Sequence, residues 1–343
     1  KKNLSPISDI GEFNLIDRIK KMLPAAEHPE PLVGIGDDTA VIQVNEQEVW
    51  LVTCDIQIEG RHFRLENTSF YDLGKRSMAV NLSDIAAMGG QPVFALISLG
   101  LSPDMTVNNY DSLFEGMRDQ LAEFNAHIIG GNLAKSDKNL IIDITVIGKA
   151  VTDQFIQRRG ASVGDLIYVT GTLGDSGAGL ALLEKFGREY PRKYEPLIQA
   201  HVSPKPRIDI GKKLAENHLA TAMIDVSDGV ASDLYHICEA NKVGAFIDLE
   251  NLPFSKEIPE VLQLCRLDRE NLLLHSGEDY ELLFTVAPDN NPTLLKQLSR
   301  DFSIPISHIG TIVPPEDGYK IHDGRGNKRN LNPTGWDHFK KQN

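Results

Sequence analysis

Hydrophobic positions along the chain fall into short apolar runs that alternate with stretches of helical spacing. Residues 48–54 (EVWLVTC) combine β-branched and aromatic residues and read as a strand. Residues 72–88 (DLGKRSMAVNLSDIAAM) predict a helix that stops at Gly89-Gly90, with Pro92 beyond. Strands follow at 93–100 (VFALISLG), 126–129 and 139–149 (NLIIDITVIGK), with a helix near 111–125. A second series starts near residue 160. It predicts a strand at 164–171, a helix entered through glycines at 174–187 and a polar stretch at 188–206 holding four prolines. A helix at 207–217, a strand at 220–225, a helix at 229–240 and a strand at 244–249 complete it. This alternation predicts an α/β (α+β) class in two domains, 1–150 and 151–343, each long enough for its own core.

Composition narrows the function classes. The 343 residues are 41 % hydrophobic and 24 % charged, ordinary for a globular protein. No apolar run reaches the ~18 residues of a membrane span, and KKNLSPISDIGEF lacks the apolar core of a secretory signal. Cys54, Cys238 and Cys265 are scattered, with no CxxC pair for zinc and no disulfide framework. A reducing, cytoplasmic setting is the expectation. The net charge of −13 opposes a nucleic-acid partner. It does not oppose a phosphorylated small molecule, provided that cations lie between the two.

The usual nucleotide signatures are absent. There is no GxxxxGK[ST] and no kinase HRD…DFG set, and GTLGDSGAG (171–179) does not fit GxGxxG. The aspartates say more. GIGDDTAV (34–41) places Asp37 and Asp38 side by side, although 48 acidic residues make such pairs common by chance. Asp55 ends a strand, and Asp225 ends another before the turn of IDVSDGVASDL (224–234). Asp84 lies in the last two turns of its helix, against the dipole. Asp228 reads equally well as a helix cap, and Asp84 as a solvated face residue. SGEDYELLF (276–284) reads equally well as a polar turn into a strand. If these carboxylates converge, two of them ~4 Å apart repel by ~4 kcal/mol at an effective dielectric of 20. Hard oxygen ligands without histidine or thiolate support select Mg²⁺, Mn²⁺ or Ca²⁺. Convergence is not visible in the sequence.

The ordered set of motifs is more specific than any one of them. GIGDDTAV, TCDIQIEGRHF (53–63), AVNLSDIAAMGG (79–90), IIGGN (128–132), GASVGDLIYVTGTLGDSGAGL (160–180), IDVSDGVASDL and SGEDYELLF resemble the thiamine-monophosphate kinase family. The likeness runs from GEFNLI (11–16) to GWDHF (335–339). It implies the two-domain fold of the aminoimidazole ribonucleotide synthetase-like superfamily, with the N-terminal domains paired in a homodimer and a β-barrel across the interface. It also implies ATP in a cleft, with several Mg²⁺ ions bridging its phosphates to carboxylates.

Position by position, the resemblance implies Mg²⁺ contacts for Asp37, Asp38, Thr53, Cys54, Asp55, Asp84, Asn132, Asp225 and Asp228. It implies ATP contacts for Gly131, Asn132, Arg158 and Ser227, and a thiamine-phosphate pocket lined by His62, Glu278 and Trp336. An indole face suits a thiazolium cation, and a carboxylate suits the aminopyrimidine or the positive charge. Two positions depart from the family pattern. Cys54 replaces a threonine, leaving only its carbonyl or a water to reach the metal. Asn132 replaces an aspartate and removes a charge. The implied reaction is ATP + thiamine monophosphate → ADP + thiamine diphosphate, without a protein nucleophile. Selenophosphate synthetase fits less well, because it wants a reactive cysteine near the N-terminus and residues 1–30 have none. The hydrogenase-maturation relative wants a C-terminal cysteine, whereas this sequence ends DHFKKQN. A non-catalytic nucleotide or thiamine-phosphate sensor on the same fold is the alternative of a different class.

Overall fold

A computed structural model of the chain describes residues 12–23, 32–290, 292–323 and 327–333. After helix α1 (Glu12–Met22), the first half forms β1 (Ala40–Gln43), β2 (Glu48–Ile58), α2 (Phe70–Ala87), β3 (Gln91–Leu101), α3 (Val107–Ala122), β4 (His127–Lys135) and β5 (Ile141–Val151). Its five strands make an open sheet in the order β1-β2-β5-β3-β4, antiparallel except for the β3–β4 pair. Alternation along β2 sets the two faces. Val49, Leu51 and Thr53 are buried toward α2, whereas Trp50, Cys54 and Ile56 are exposed on the other side. β4 is longer than its sequence suggests. Gly130 and Gly131 are poor strand formers, but pairing with β3 carries them through.

The second half forms β6 (Leu166–Thr170), α4 (Asp175–Phe186), α5 (Glu195–Val202), α6 (Ile208–Glu216), β7 (Ala222–Asp225), α7 (Val230–Asn241) and β8 (Gly244–Asp248). It continues with α8 (Ile258–Cys265), α9 (Arg269–His275), β9 (Leu282–Val286), α10 (Pro292–Asp301), β10 (Ile306–Val313), β11 (Tyr319–His322) and β12 (Lys328–Asn330). Its seven strands run β12-β11-β8-β10-β6-β9-β7. The stretch 188–206, expected to be a polar connection, contains α5. Pro196 falls in that helix's first turn, where no N–H is needed, and Leu197, Ile198 and Val202 bury one face. Among the described residues no helix is long and apolar enough to cross a membrane.

α2 is the pivot of the structure. It packs against α3 at Gly74, where a Cβ would sit 2.1 Å from the Leu113 carbonyl oxygen. It meets α6 at Gly211, where a Cβ would sit 2.1 Å from the Ala86 carbonyl oxygen. Backbones approach that closely only without a side chain. One hydrophobic core therefore runs across the two sheets, joining Ile85 and Ile144 to Ile210, Leu214 and Phe284. α2 ends as its sequence predicts, with Gly89 at φ +70° and the Gly90 N–H bonded to the Ile85 carbonyl (2.9 Å).

Candidate active site

Because α2 is buried on most sides, its polar residues must find partners inside the protein. Asn81 accepts the Asp55 backbone N–H through Oδ1 (3.1 Å). The Thr53 hydroxyl donates to Asp84. The Ser83 hydroxyl donates to Asp225, at the end of β7 (2.6 Å). These contacts draw β2, α2 and β7 together and converge their acids. Oxygens of Asp38, Asp84 and Asp225 lie within 4.8 Å of one another, and Asp55 lies beside Asp84.

Arg158, from the segment between the two sheets, pairs with this cluster. Its Nη2 donates to Asp38 Oδ1 (2.5 Å) and its Nε to the same atom (3.2 Å), while its backbone N–H reaches Asp37 (3.2 Å). One arginine does not neutralise the group. Burial, then the neighbouring Asp38 charge, push Asp37 up to about 6. Burial raises Asp55 to about 6, and burial followed by the Asp38 charge raises Asp225 to about 7. Asp38 is raised by burial, and Asp84 is raised well above the carboxylate range by burial and then by Asp55, Asp225 and Asp38. Asp38 Oδ2 is buried, with no hydrogen-bond partner among the described residues, on a side chain only 1 % exposed. A buried acid with one unpaired oxygen, set beside two other carboxylates, is an arrangement that a hard divalent cation completes.

The other expected metal and nucleotide residues fall into two groups. Ser227 and Asp228 follow Asp225 in the turn before α7, and their backbone N–H groups both donate to Asp233 Oδ2 (3.1 and 3.2 Å). Asp233 escaped the sequence reading. Its signal was available, since an acid in the first turn of a helix entered through a glycine commonly caps the preceding loop. Cys54, Gly131 and Asn132 lie elsewhere. The Cys54 thiol points to the open face of the sheet and donates to Asp143 Oδ1 (3.2 Å). Asn132 lies on β4 opposite Ser98, and Ser98 in turn lies opposite Asp143 on β5. Thr53 and Asp55 point to the α2 side, so the sheet separates Cys54 and Asn132 from Asp38, Asp84 and Asp225. Gly131 is pinned against β3, where a Cβ would meet the Ile97 carbonyl oxygen.

Two of the three expected pocket residues come together, although 216 positions separate them. Arg76 Nη2 donates both to Glu278 Oε1 (2.5 Å) and to the His62 carbonyl (3.3 Å). His62 Nδ1 accepts the Ile58 N–H (3.0 Å). The Glu278 N–H donates to the Ser227 carbonyl (2.7 Å), so this pocket adjoins the acid cluster. Glu278, expected to hydrogen-bond the aminopyrimidine or to balance a positive charge, carries an ion pair with Arg76. Trp336 lies outside the described residues.

Both halves of the chain are similar to known proteins. Residues 36–150 match the AIR synthase related protein N-terminal domain, and residues 162–323 match the corresponding C-terminal domain. Thiamine-monophosphate kinase from Escherichia coli (strain K12) is 37 % identical over 337 residues, covering 96 % of this chain and 98 % of that one. The enzyme from Buchnera aphidicola (subsp. Acyrthosiphon pisum) is 36 % identical over 333 residues, again 96 % and 98 %. A structure of AaThiL complexed with AMPPCP and TMP superposes with a TM-score of 0.84 at 33 % identity, covering 98 % of this chain and all of that one. With its two AIR synthase related halves and its near full-length likeness to these enzymes, the chain belongs to the thiamine-monophosphate kinase family.

Proposed function

We propose that the protein transfers the terminal phosphoryl group of ATP to thiamine monophosphate, giving ADP and thiamine diphosphate. Family membership supplies the reaction. The observation that carries it to this chain is the convergence of Asp38, Asp84 and Asp225, with one Asp38 oxygen buried and unpartnered among the described residues. Asp38, Asp84 and Asp225, with Asp55 beside Asp84 and Asp228 in the turn that follows β7, would hold Mg²⁺. When bound, Mg²⁺ would screen the repulsion between donor and acceptor phosphates and align them. The acceptor is a phosphate oxygen that is ionised near neutral pH, with a second pKa of about 6, so no strong general base is needed. We assign direct in-line transfer: the acceptor oxygen forms a bond to the γ-phosphorus as the β–γ bridging bond breaks, and ADP leaves with the electron pair. Arg158 holds Asp38 in place and offers its outer guanidinium edge to the nucleotide phosphates. An assay of ATP-dependent thiamine diphosphate formation tests the reading, with Asp38→Asn and Asp84→Asn expected to lose turnover at saturating Mg²⁺. Binding of both ligands without product would point to a sensor instead.

The protein is also proposed to act as a cytoplasmic homodimer. Among the described residues, helices cover one face of the five-stranded sheet, and its other face presents Trp50, Ile56 and Leu96 at 43 %, 52 % and 37 % exposure. An apolar sheet face of this kind calls for a partner surface, and a second copy of the same sheet would close it into a barrel. Light scattering should give twice the chain mass, and Trp50→Lys should reduce it to one. A monomeric native protein would refute this reading.

A further inference from the structure

Arg76 does more than pair with Glu278. It is 3 % exposed, in the middle of α2, and its guanidinium reaches three separate segments. Nη2 takes the Glu278 carboxylate and the His62 carbonyl, while Nη1 takes the His201 carbonyl at the end of α5. His201 closes the network. Its Nδ1 lies 3.0 Å from the Ser176 hydroxyl on α4 and 3.7 Å from Glu278 Oε2. Burial, then the adjacent Arg76, lower His201 to about 3, so the ring is neutral. The loop that presents Glu278 is bent into the left-handed region at two non-glycine positions, Glu278 (φ +57°) and Tyr280 (φ +51°). Such conformations persist where surrounding contacts over-determine them, and they cluster at functional sites.

We propose that Arg76 is the positioning residue of the acceptor pocket, fixing Glu278 as an ionised, aimed hydrogen-bond acceptor in register with the His62 segment. The proposal rests on the thiamine monophosphate reading above and deepens it. Burial opposes the Glu278 charge, but Arg76 outweighs it and holds the carboxyl below its usual range. With its charge matched by Arg76, Glu278 has little left to offer a thiazolium cation. Its second oxygen keeps lone pairs for an N–H donor, and the acceptor's aminopyrimidine carries such donors. Specificity then lies in the amino group, because a site built around a buried acceptor rejects an analogue that lacks the donor.

Steady-state kinetics with separately varied substrates test this. Arg76→Lys keeps the charge but cannot span three partners, and Arg76→Gln removes it. The expected increase in KM for thiamine monophosphate is about 10-fold for Lys and on the order of 100-fold for Gln, with KM for ATP changed less than about 2-fold. Glu278→Gln should raise the same KM, and Arg76→Gln combined with Glu278→Gln should be no worse than the poorer single variant. Wild-type enzyme should discriminate against the 4-oxo analogue of thiamine monophosphate, and Glu278→Gln should lose that discrimination. Should Arg76→Gln fail to give a cooperative melt, Arg76→Lys with Glu278→Gln carries the same cycle. Additive effects, equal changes in both KM values, or a 4-oxo analogue used as well as substrate would each overturn the proposal. A wild-type protein that forms no thiamine diphosphate would instead overturn the function on which it rests.

Discussion

Replacing Asp84 by Asn should stabilise the metal-free protein at alkaline pH while abolishing its response to Mg²⁺. The cluster's raised acids fix the sign. Asp225 titrates at about 7 in the fold against an ordinary 3.8, so the native state holds a proton that the unfolded chain has already released. Stability from this group is complete below pH 3.8 and is lost as pH rises to about 7; the roughly three units correspond to about 4 kcal/mol. At a separation of 4.8 Å, each ionised carboxylate pair repels by about 3.5 kcal/mol at an effective dielectric of 20. The cluster can avoid part of this by keeping a proton on Asp84, the acid raised well above the carboxylate range, which costs stability at about pH 8 because the unfolded chain has already released that proton. The net relief from Asp84→Asn is therefore about 1–3 kcal/mol, or roughly 2–8 °C in melting temperature. Asn keeps an oxygen for the Thr53 hydroxyl and gains a donor toward Asp55, so local packing survives. Thermal melts with chelator and with excess Mg²⁺, at about pH 8 and about pH 4, separate the effects. Wild type should gain stability from Mg²⁺ at the higher pH and little at the lower, while Asp84→Asn should gain little at either. A lower melting temperature for metal-free Asp84→Asn at the higher pH, or a wild-type-sized response to Mg²⁺, would refute the reasoning.

The remaining predictions concern the supports of the site and its open face. Asp233→Ala leaves the Ser227 and Asp228 N–H groups without their acceptor; it should cost about 1–3 kcal/mol in denaturant unfolding and raise the Mg²⁺ concentration for half-maximal activity. Gly211→Val forces a side chain into the Ala86 carbonyl oxygen and should destabilise by about 3 kcal/mol or more, read as a lower urea midpoint, because α2 and α6 must separate. Asn132→Asp adds a carboxylate two strands from Asp143, about 9.6 Å away, where repulsion in water is only about 0.4 kcal/mol. Its melting temperature should stay near wild type, so any lowering of the Mg²⁺ requirement would report on metal binding and not on stability.

How far the sequence predicts the structure depends on whether the deciding contact is local. The end of α2 follows from Gly89-Gly90, and β2, β3, β5, β6 and β8 follow from apolar runs rich in β-branched residues, because backbone preference and apolar patterning settle them; β1, β10, β11 and β12 are not predicted. α5 was illegible: Pro191, Pro196, Pro204 and Pro206 suggest a loop, yet Pro196 sits where a first helical turn tolerates it and Leu197, Ile198 and Val202 supply the buried face. Arg76 was illegible for a different reason. An arginine in a helix reads as a solvated residue, and only tertiary packing places its guanidinium between Glu278, His62 and His201, each from a distant segment.

Cys54 and Asn132, where the resemblance implies a threonine and an aspartate, gain a common meaning in three dimensions. In the sequence, Cys54 and Asn132 are unrelated substitutions at positions expected to meet metal. In the fold both sit on the open face of the first sheet, in adjacent rows, with Asp143 hydrogen-bonded to the Cys54 thiol and across Ser98 from Asn132. Asp38, Asp84 and Asp225 lie on the other side, complete, with Asp55 beside Asp84. The missing thiol-for-hydroxyl and amide-for-carboxylate chemistry is therefore confined to one face and leaves the three-acid cluster whole. The carboxylate on that face is Asp143, which no motif singled out and which accepts the Cys54 thiol.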